Sequence, residues 1–359
     1  MRKILTLALA VGISVSALPN SSAATKQPPK LSAKCVKAGE LGKSATQQLV
    51  CTKLNNKLSW QPSVAAIENS NWSDLQSQRA SQSDVSTSLE VYFSPTVNKT
   101  IAGTLLHGVN QAAKLWQAQY LPEKPLPTLF FTEKDRDWFV SQMKTLGVYS
   151  EHQLANFDDE VKRNGNRANW AGVTGDGGRL WMVYMIGSGK TAPDNNDAQV
   201  AAHEYTHLAQ FAIAKTNQEQ LTCWMVEGGA AFYGLYLGAT SSAQLTTFTN
   251  ERMNDGGFLD FQSLMKNPNR DWEKYLDTFG PNYGNSQCGP NGAYQIGGLA
   301  NEYLYSLKGH PGIISLFQNV ASTGDFAKAI ENTYSKPWPV VRKEIANYIR
   351  LAIAQTKPQ

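Results

Sequence analysis

The sequence predicts an α+β fold, in which a small sheet near the middle of the chain is combined with many helices. Apolar residues recur at helical spacing over residues 101–120, and the chain after residue 238 has a mostly helical pattern. A short apolar run at 127–132 predicts a buried strand, which leads into a predicted helix over 137–146. Residues 170–184 predict a β-hairpin, because two strand-like runs flank a glycine-rich turn.

The N-terminus predicts export from the cell. A positively charged start, Met1 to Lys3, precedes an apolar run over residues 4–18 and small residues at 21–24. This order is typical of a secretory signal peptide, so we expect residues 1–24 to be removed after Ala24. No later stretch is long and apolar enough to predict a membrane span. The mature protein is therefore expected outside the cell or in the cell envelope.

The four cysteines predict two disulfides, because an exported protein meets an oxidising environment. Four cysteines allow three connectivities. We favour the local one, in which Cys35 pairs with Cys51 and Cys223 pairs with Cys288.

The first cysteine pair belongs to a small basic segment, residues 25–60. Its residues Cys35, Gly39, Cys51 and the run Leu58-Ser59-Trp60 resemble the CxxxG…C…LxW module near the start of many secreted actinobacterial proteins. Because such a short segment can bury only a small hydrophobic core, we expect the disulfide to hold the module together. Two interpretations of its role stay open: contact with the cell envelope, and a spacer or pro-segment.

The remaining chain divides by composition. Residues 61–88 are polar and rich in Ser and Gln, with little apolar periodicity, and this predicts a linker with at most one helical turn. Residues 89–359 are long enough for one large domain or two lobes that enclose a cleft.

The run His203-Glu204-Tyr205-Thr206-His207 predicts a metal site. Residues four apart lie on the same face of a helix, so the two imidazoles can bind one cation. Asp197 is the predicted N-cap of this helix, and the surrounding apolar residues predict that it is buried. The alternative is a buried histidine pair that bonds to other core groups.

Glu227 is the candidate third ligand. Nineteen residues separate it from His207, and it lies within the otherwise apolar stretch from Trp224 to Tyr233. An unpaired carboxylate is costly to bury, so a positive partner is expected. The alternative is a glutamate at the exposed start of a helix. Three protein ligands would leave a fourth position for water, as in catalytic zinc sites.

The HEYTH run and the later WxxEGxA-like stretch together resemble the gluzincin branch of the zincin metallopeptidases. The resemblance implies a zincin-like catalytic domain, with a small sheet, an active-site helix and a mostly helical C-terminal lobe. It implies Zn²⁺ as cofactor, His203, His207 and Glu227 as ligands, and Glu204 as the general base. In the Tyr294-Gln295-Ile296-Gly297 run, it implies that Tyr294 binds the oxyanion; the alternative is a structural tyrosine on a half-buried helix.

Two departures from the family pattern affect this interpretation. Thermolysin-like members hold a zinc-bound imidazole with an Asp four residues after the ligand Glu, and this chain has Ala231 there. Another acceptor is therefore expected to orient His203. The GxMEN run of the aminopeptidase branch does not occur before His203, so an endopeptidase is expected. The resemblance also predicts a substrate-aligning edge strand, which we assign to residues 180–184.

Charge and composition limit the partners. A formal net charge of +4 with 17% charged residues does not favour nucleic-acid binding. The cluster from Asp194 to Asp197 could bind calcium, but helix capping explains it and is the favoured interpretation. We expect a monomer that hydrolyses peptides or proteins. Two other functions stay open: a non-catalytic envelope-binding protein that keeps the fold, and a zinc hydrolase of a non-protein amide or ester.

Overall fold

The computed structural model describes residues 28–83, 89–175, 179–254, 270–278 and 293–356. The predicted signal peptide, residues 1–24, lies outside the described residues, and so does Cys288. Within them, helices and two small sheets are combined, which agrees with the predicted α+β class. No helix among them is both long and apolar enough to cross a membrane.

The N-terminal module is a three-stranded antiparallel sheet. Its strands are β1 (Leu41–Lys43), β2 (Gln48–Leu54) and β3 (Lys57–Pro62), in the order β1-β2-β3. The predicted disulfide between Cys35 and Cys51 is confirmed, and both cysteines are buried. The disulfide fixes the segment before β1 to the central strand β2.

The predicted linker over residues 61–88 is wrong for most of its length, because Val64–Ser81 form helix α1. Ser63 caps its N-terminus by accepting a hydrogen bond from the Ala66 N–H. Glu68, Asn71 and Leu75 are buried, and Asn71 donates to the backbone carbonyl of Glu302. Apolar periodicity does not reveal this helix, because two of its three buried residues are polar.

The second sheet lies in the middle of the chain. Its strands are β4 (Leu89–Phe93), β5 (Leu126–Phe131), β6 (Asn169–Thr174) and β7 (Trp181–Ile186), in the order β4-β5-β7-β6. β4, β5 and β7 are parallel, and β6 is antiparallel to β7. The predicted strand and hairpin are confirmed.

The edge strands of this sheet are β4 and β6, so the prediction that residues 180–184 form an edge strand is wrong. β7 pairs with β5 on one side and with β6 on the other, and all six of its residues are buried. A continuous apolar run is typical of a strand covered on both faces, which explains why this stretch is internal.

Helices cover both faces of the second sheet. Helices α2 (Lys99–Trp116) and α5 (Asn195–Ala214) contribute to the core that includes Phe130 and Tyr184. Helices α3 (Arg136–Thr145) and α4 (Glu151–Asn164) cover the other face, which carries Phe131 and Val183. The predicted helices over 101–120 and 137–146 correspond to α2 and α3.

The C-terminal part is helical, as predicted, among the residues that the structure describes. Its helices are α6 (Cys223–Gly238), α7 (Ser242–Asn254), α8 (Trp272–Thr278), α9 (Ala293–Thr323), α10 (Phe326–Tyr334) and α11 (Trp338–Thr356). α6 packs against both α5 and α9. Helix α5, which carries His203 and His207, is therefore packed between the second sheet and the C-terminal helices.

Candidate metal centre

Helix α5 begins at a capping box. The Asp194 side chain accepts a hydrogen bond from the Asn196 N–H, and the Asp197 carboxylate accepts one from the Asp194 N–H. The N-cap is thus Asp194, and the prediction that Asp197 is the N-cap is wrong by three residues. Lys190 forms ion pairs with both carboxylates. These contacts support capping over calcium binding for the cluster from Asp194 to Asp197.

His203 and His207 lie one turn apart on α5, and α6 brings Glu227 to them. The Nε2 atoms of the two histidines are 3.0 Å apart. Glu227 Oε2 lies 3.4 Å from His203 Nε2 and 3.5 Å from His207 Nε2. All three side chains are nearly buried, which excludes the exposed helix start considered for Glu227. Three ligand atoms therefore converge at one point where a metal ion could bind.

The charges of this cluster depend on each other. Burial opposes the charge on Glu227, but His207 and His203 outweigh it and hold the pKa of this carboxyl well below its ordinary range. Burial also opposes a charge on His207, but Glu227 outweighs it and raises the pKa of this imidazole to about 9. A cation that binds here would take the place of the His207 proton.

Gln210 orients His207 and connects it to the neighbouring helix. Its Oε1 lies 2.9 Å from His207 Nδ1, and its Nε2 donates to the Val226 carbonyl on α6 at 3.1 Å. An acceptor on Nδ1 leaves Nε2 of the imidazole directed at the other two ligands. An orienting acceptor was predicted for His203, whereas this one binds His207 and was not predicted.

Glu204, on α5, faces the edge strand β6. Its carboxylate accepts a hydrogen bond from the Val173 N–H of β6. Burial raises the pKa of Glu204, and Glu227 adds to the effect, while the two histidines and the Val173 N–H act against it. A carboxyl group with a raised pKa can both accept and donate a proton near neutral pH. The predicted base is therefore placed next to the three candidate ligands.

Tyr294, in the first turn of α9, lies against the ring of His203. The two rings are nearly parallel, with centroids 5.7 Å apart and an interplanar angle of 20°. The phenol is half-buried. The structure therefore brings Tyr294 next to His203, one of the three candidate ligands.

Close contact between α6 and α9 sets the position of Tyr294. A Cβ atom added to Gly297 would meet the Trp224 carbonyl oxygen at 2.5 Å, and one added to Gly228 would meet the Gly297 backbone at 2.2 Å. Asn301 donates to the Trp224 carbonyl at 3.0 Å and fastens the crossing. These contacts explain the two glycines in the motifs, a role that sequence analysis did not assign.

Cys223, at the start of α6, is disulfide-bonded. Its predicted partner, Cys288, lies outside the described residues, so the pairing of these two cysteines stays a prediction. Such a disulfide would connect the helix that carries Glu227 to the segment before Tyr294.

Comparisons of the chain with protein-family models, with curated proteins and with solved structures find no match. The residues of the site themselves indicate its chemistry. Two imidazoles, a carboxylate ligand, an adjacent carboxyl group and a phenol form a set that can bind a divalent cation and transfer protons beside it.

Proposed function

We propose that the protein is a secreted zinc-dependent metallopeptidase, and specifically an endopeptidase. The observation that carries the proposal is the convergence of His203, His207 and Glu227, with Glu204 close to all three and Tyr294 against His203. Tetrahedral zinc with nitrogen and oxygen ligands places neighbouring ligand atoms about 3.3 Å apart. The separations of 3.0, 3.4 and 3.5 Å in the structure are close to this spacing and support the proposal.

In this proposal, zinc supplies a Lewis acid that activates water and polarises the substrate carbonyl. Glu204 accepts the proton of the attacking water and delivers it to the leaving nitrogen. The Val173 N–H holds the Glu204 carboxylate in place during both transfers. Tyr294 donates a hydrogen bond to the oxyanion.

The position of β6 favours a peptide substrate over a small amide or ester. β6 is one of the two edge strands of its sheet within the described residues, and Val173 on β6 contacts Glu204. An extended peptide can pair with such an edge by backbone hydrogen bonds and so present a carbonyl to the metal centre. Chain ends are not needed for this mode of binding, and this supports an endopeptidase.

The proposal is tested by digesting a peptide library with the zinc-loaded protein and with its Glu204→Gln variant, while zinc is quantified in both. We expect the wild type to cut internal peptide bonds with one zinc per chain. The variant should keep its zinc and lose activity by a factor on the order of 10²–10⁴, because only the proton transfer is removed.

A Glu227→Gln variant serves as the matched control. It replaces another glutamate of the same site and should lose zinc itself. Full activity in Glu204→Gln would contradict the mechanism. Zinc binding without cleavage of any peptide by the wild type would contradict the proposed function and favour a binding protein.

A further inference from the structure

The positive charge of the chain is concentrated in the N-terminal module. Residues 28–62, which form this module, carry six lysines and a single acid, Glu40. Residues 63–359 carry 24 lysine and arginine residues against 28 acidic ones. The module is therefore net positive, whereas the rest of the described chain belongs to a net negative part. An anionic surface would attract the module and repel that part, and so would orient the molecule with the module towards it.

The charges of the module are available to a partner. Its lysines are all exposed: Lys30, Lys34, Lys37, Lys43, Lys53 and Lys57. None of them forms an ion pair with another residue that the structure describes. Lys190 and Lys336, by contrast, are paired with carboxylates of the catalytic part.

The three-stranded sheet of the module has an inner and an outer face. Thr52 on β2 is buried and accepts a hydrogen bond from Gln355 on α11 at 3.1 Å, which defines the inner face. Successive side chains of a strand point to opposite faces, so Cys51 points away from α11. The disulfide between Cys51 and Cys35 fixes the preceding segment to this outer face. The segment is thus on the side of the module that faces away from the last helix.

This outer segment, residues 30–37, places lysines beside exposed apolar side chains. Lys30, Lys34 and Lys37 are interspersed with Leu31 and Val36, and no acid occurs within it. Leu31 is 50% exposed and Val36 is 84% exposed, the highest value among the large apolar side chains that the structure describes. A surface that combines cations with apolar side chains is suited to a lipid bilayer, where both kinds of group find partners.

We propose that the outer segment binds the surface of an anionic lipid bilayer. Its lysines contact the phosphate groups of the lipids, and Leu31 and Val36 insert between the headgroups. The inference goes beyond the proposed function and does not depend on it. A soluble polyanion would use the lysines but leave the apolar side chains in water. The module also contains no arginine, the residue best suited to two-point contacts with nucleic acids.

The test measures sedimentation of the exported form, from residue 25, with lipid vesicles. Vesicles of equal parts phosphatidylglycerol and phosphatidylcholine are compared with vesicles of phosphatidylcholine alone, at low and at high salt. We expect binding to the anionic vesicles only, and weaker binding at high salt, because salt screens the lysine charges.

Two variants separate the contributions of charge and apolar contact. Replacing Lys30, Lys34 and Lys37 together by glutamine should weaken binding to the anionic vesicles on the order of 10²-fold, since each lysine contributes about fivefold. Val36→Ser should weaken it by roughly tenfold, because it removes an apolar side chain from the headgroup region.

The matched control replaces three exposed lysines outside the module by glutamine: Lys99, Lys124 and Lys162. It changes the net charge equally and should bind like the wild type. Circular dichroism establishes that each variant is folded, and the wild-type comparison of the two vesicles is decisive without any variant. Equal binding of the wild type to both vesicles overturns the inference, and so does an equal loss in the two triple variants.

A soluble polyanion, inorganic polyphosphate, is offered as a competitor to the anionic vesicles. We expect it to displace the protein only partly, because it cannot replace the apolar contacts. Full displacement, together with unchanged vesicle binding in Val36→Ser, would assign the outer segment to a soluble polyanion and overturn the lipid assignment.

Discussion

Tyr294 is the residue whose role depends most on its neighbours. Fourteen tyrosines occur in the chain, and the sequence pattern does not distinguish this one from Tyr303 or Tyr305. Its ring contact with His203 does distinguish it. In the proposed mechanism, a phenol beside this imidazole can reach the carbonyl of a substrate bound to the metal. A hydrogen bond to the developing oxyanion would stabilise the transition state more than the bound substrate.

Tyr294→Phe is therefore expected to lower kcat by about 10²–10³ while zinc stays bound, because it removes the oxyanion donor and leaves the ligands intact. Steady-state kinetics and zinc quantification measure both quantities. Tyr303→Phe is the matched control, since Tyr303 lies on the same helix and bonds to Glu344 instead. Equal kcat in Tyr294→Phe and wild type would remove this phenol from the mechanism.

Some residues of the candidate site can be predicted from the sequence, and others cannot. The spacing within His203 to His207 predicts the ligands, since helical geometry alone places both imidazoles on one face. Gln210 could not be found in this way, because its role requires α6 to be packed against α5 so that Val226 accepts its amide. The ligands follow from local geometry, whereas the group that orients His207 follows from tertiary packing.

At the scale of elements, the crossing of α6 and α9 positions both Glu227 and Tyr294. Gly297→Ala would drive a methyl group into the Trp224 carbonyl, so we expect it to reduce stability by about 1–3 kcal/mol and to weaken zinc binding. Gly298→Ala is the matched control, because its Cβ would lie 3.8 Å from the Gly228 carbonyl oxygen, an ordinary contact.

Denaturant unfolding and zinc titration measure the two effects. Gly298→Ala should be neutral or slightly stabilising, because alanine favours the helix over glycine by about 1 kcal/mol. Equal stability in the two variants would mean that the helices separate without cost, and the crossing would then not position the site.

Elements differ in how well the sequence predicts them. α2 and α3 were predicted because their apolar faces repeat at helical spacing. α1 was missed because it buries Glu68 and Asn71 against the C-terminal helices, and polar residues leave no apolar pattern. The hairpin of β6 and β7 was predicted, but its edge was assigned to the wrong strand, since strand order depends on pairing between distant segments.

At the scale of the whole molecule, the N-terminal module contacts the last helix, α11. Gln355 on α11 accepts a hydrogen bond from the Val64 N–H and donates to Thr52 and to the Pro62 carbonyl. The N-terminal module is thereby attached directly to the last helix. Composition predicted a separate module on a linker. It could not reveal these contacts, because they connect residues that lie far apart in the chain.

The stability of the whole molecule should depend on pH through the buried acid pair of Glu68 and Glu302. Burial, with Glu68 nearby, raises the pKa of Glu302 from an ordinary 4.5 to about 8. The folded state therefore holds a proton that the unfolded chain has lost between these values. The stabilising contribution is fully present below the ordinary pKa and is lost as the pH rises towards 8.

We expect the contribution of Glu302 to the unfolding free energy of the zinc-loaded protein to fall between pH 5 and 8, by up to about 1.4 kcal/mol per pH unit. Glu302→Gln should flatten this dependence, because glutamine does not ionise. Zinc must be bound, because without it His207, whose pKa Glu227 raises to about 9, adds a further loss of stability above neutral pH. Urea unfolding at a series of pH values measures the slope, and the same slope in wild type and variant would show that Glu302 is ionised without cost in the folded protein.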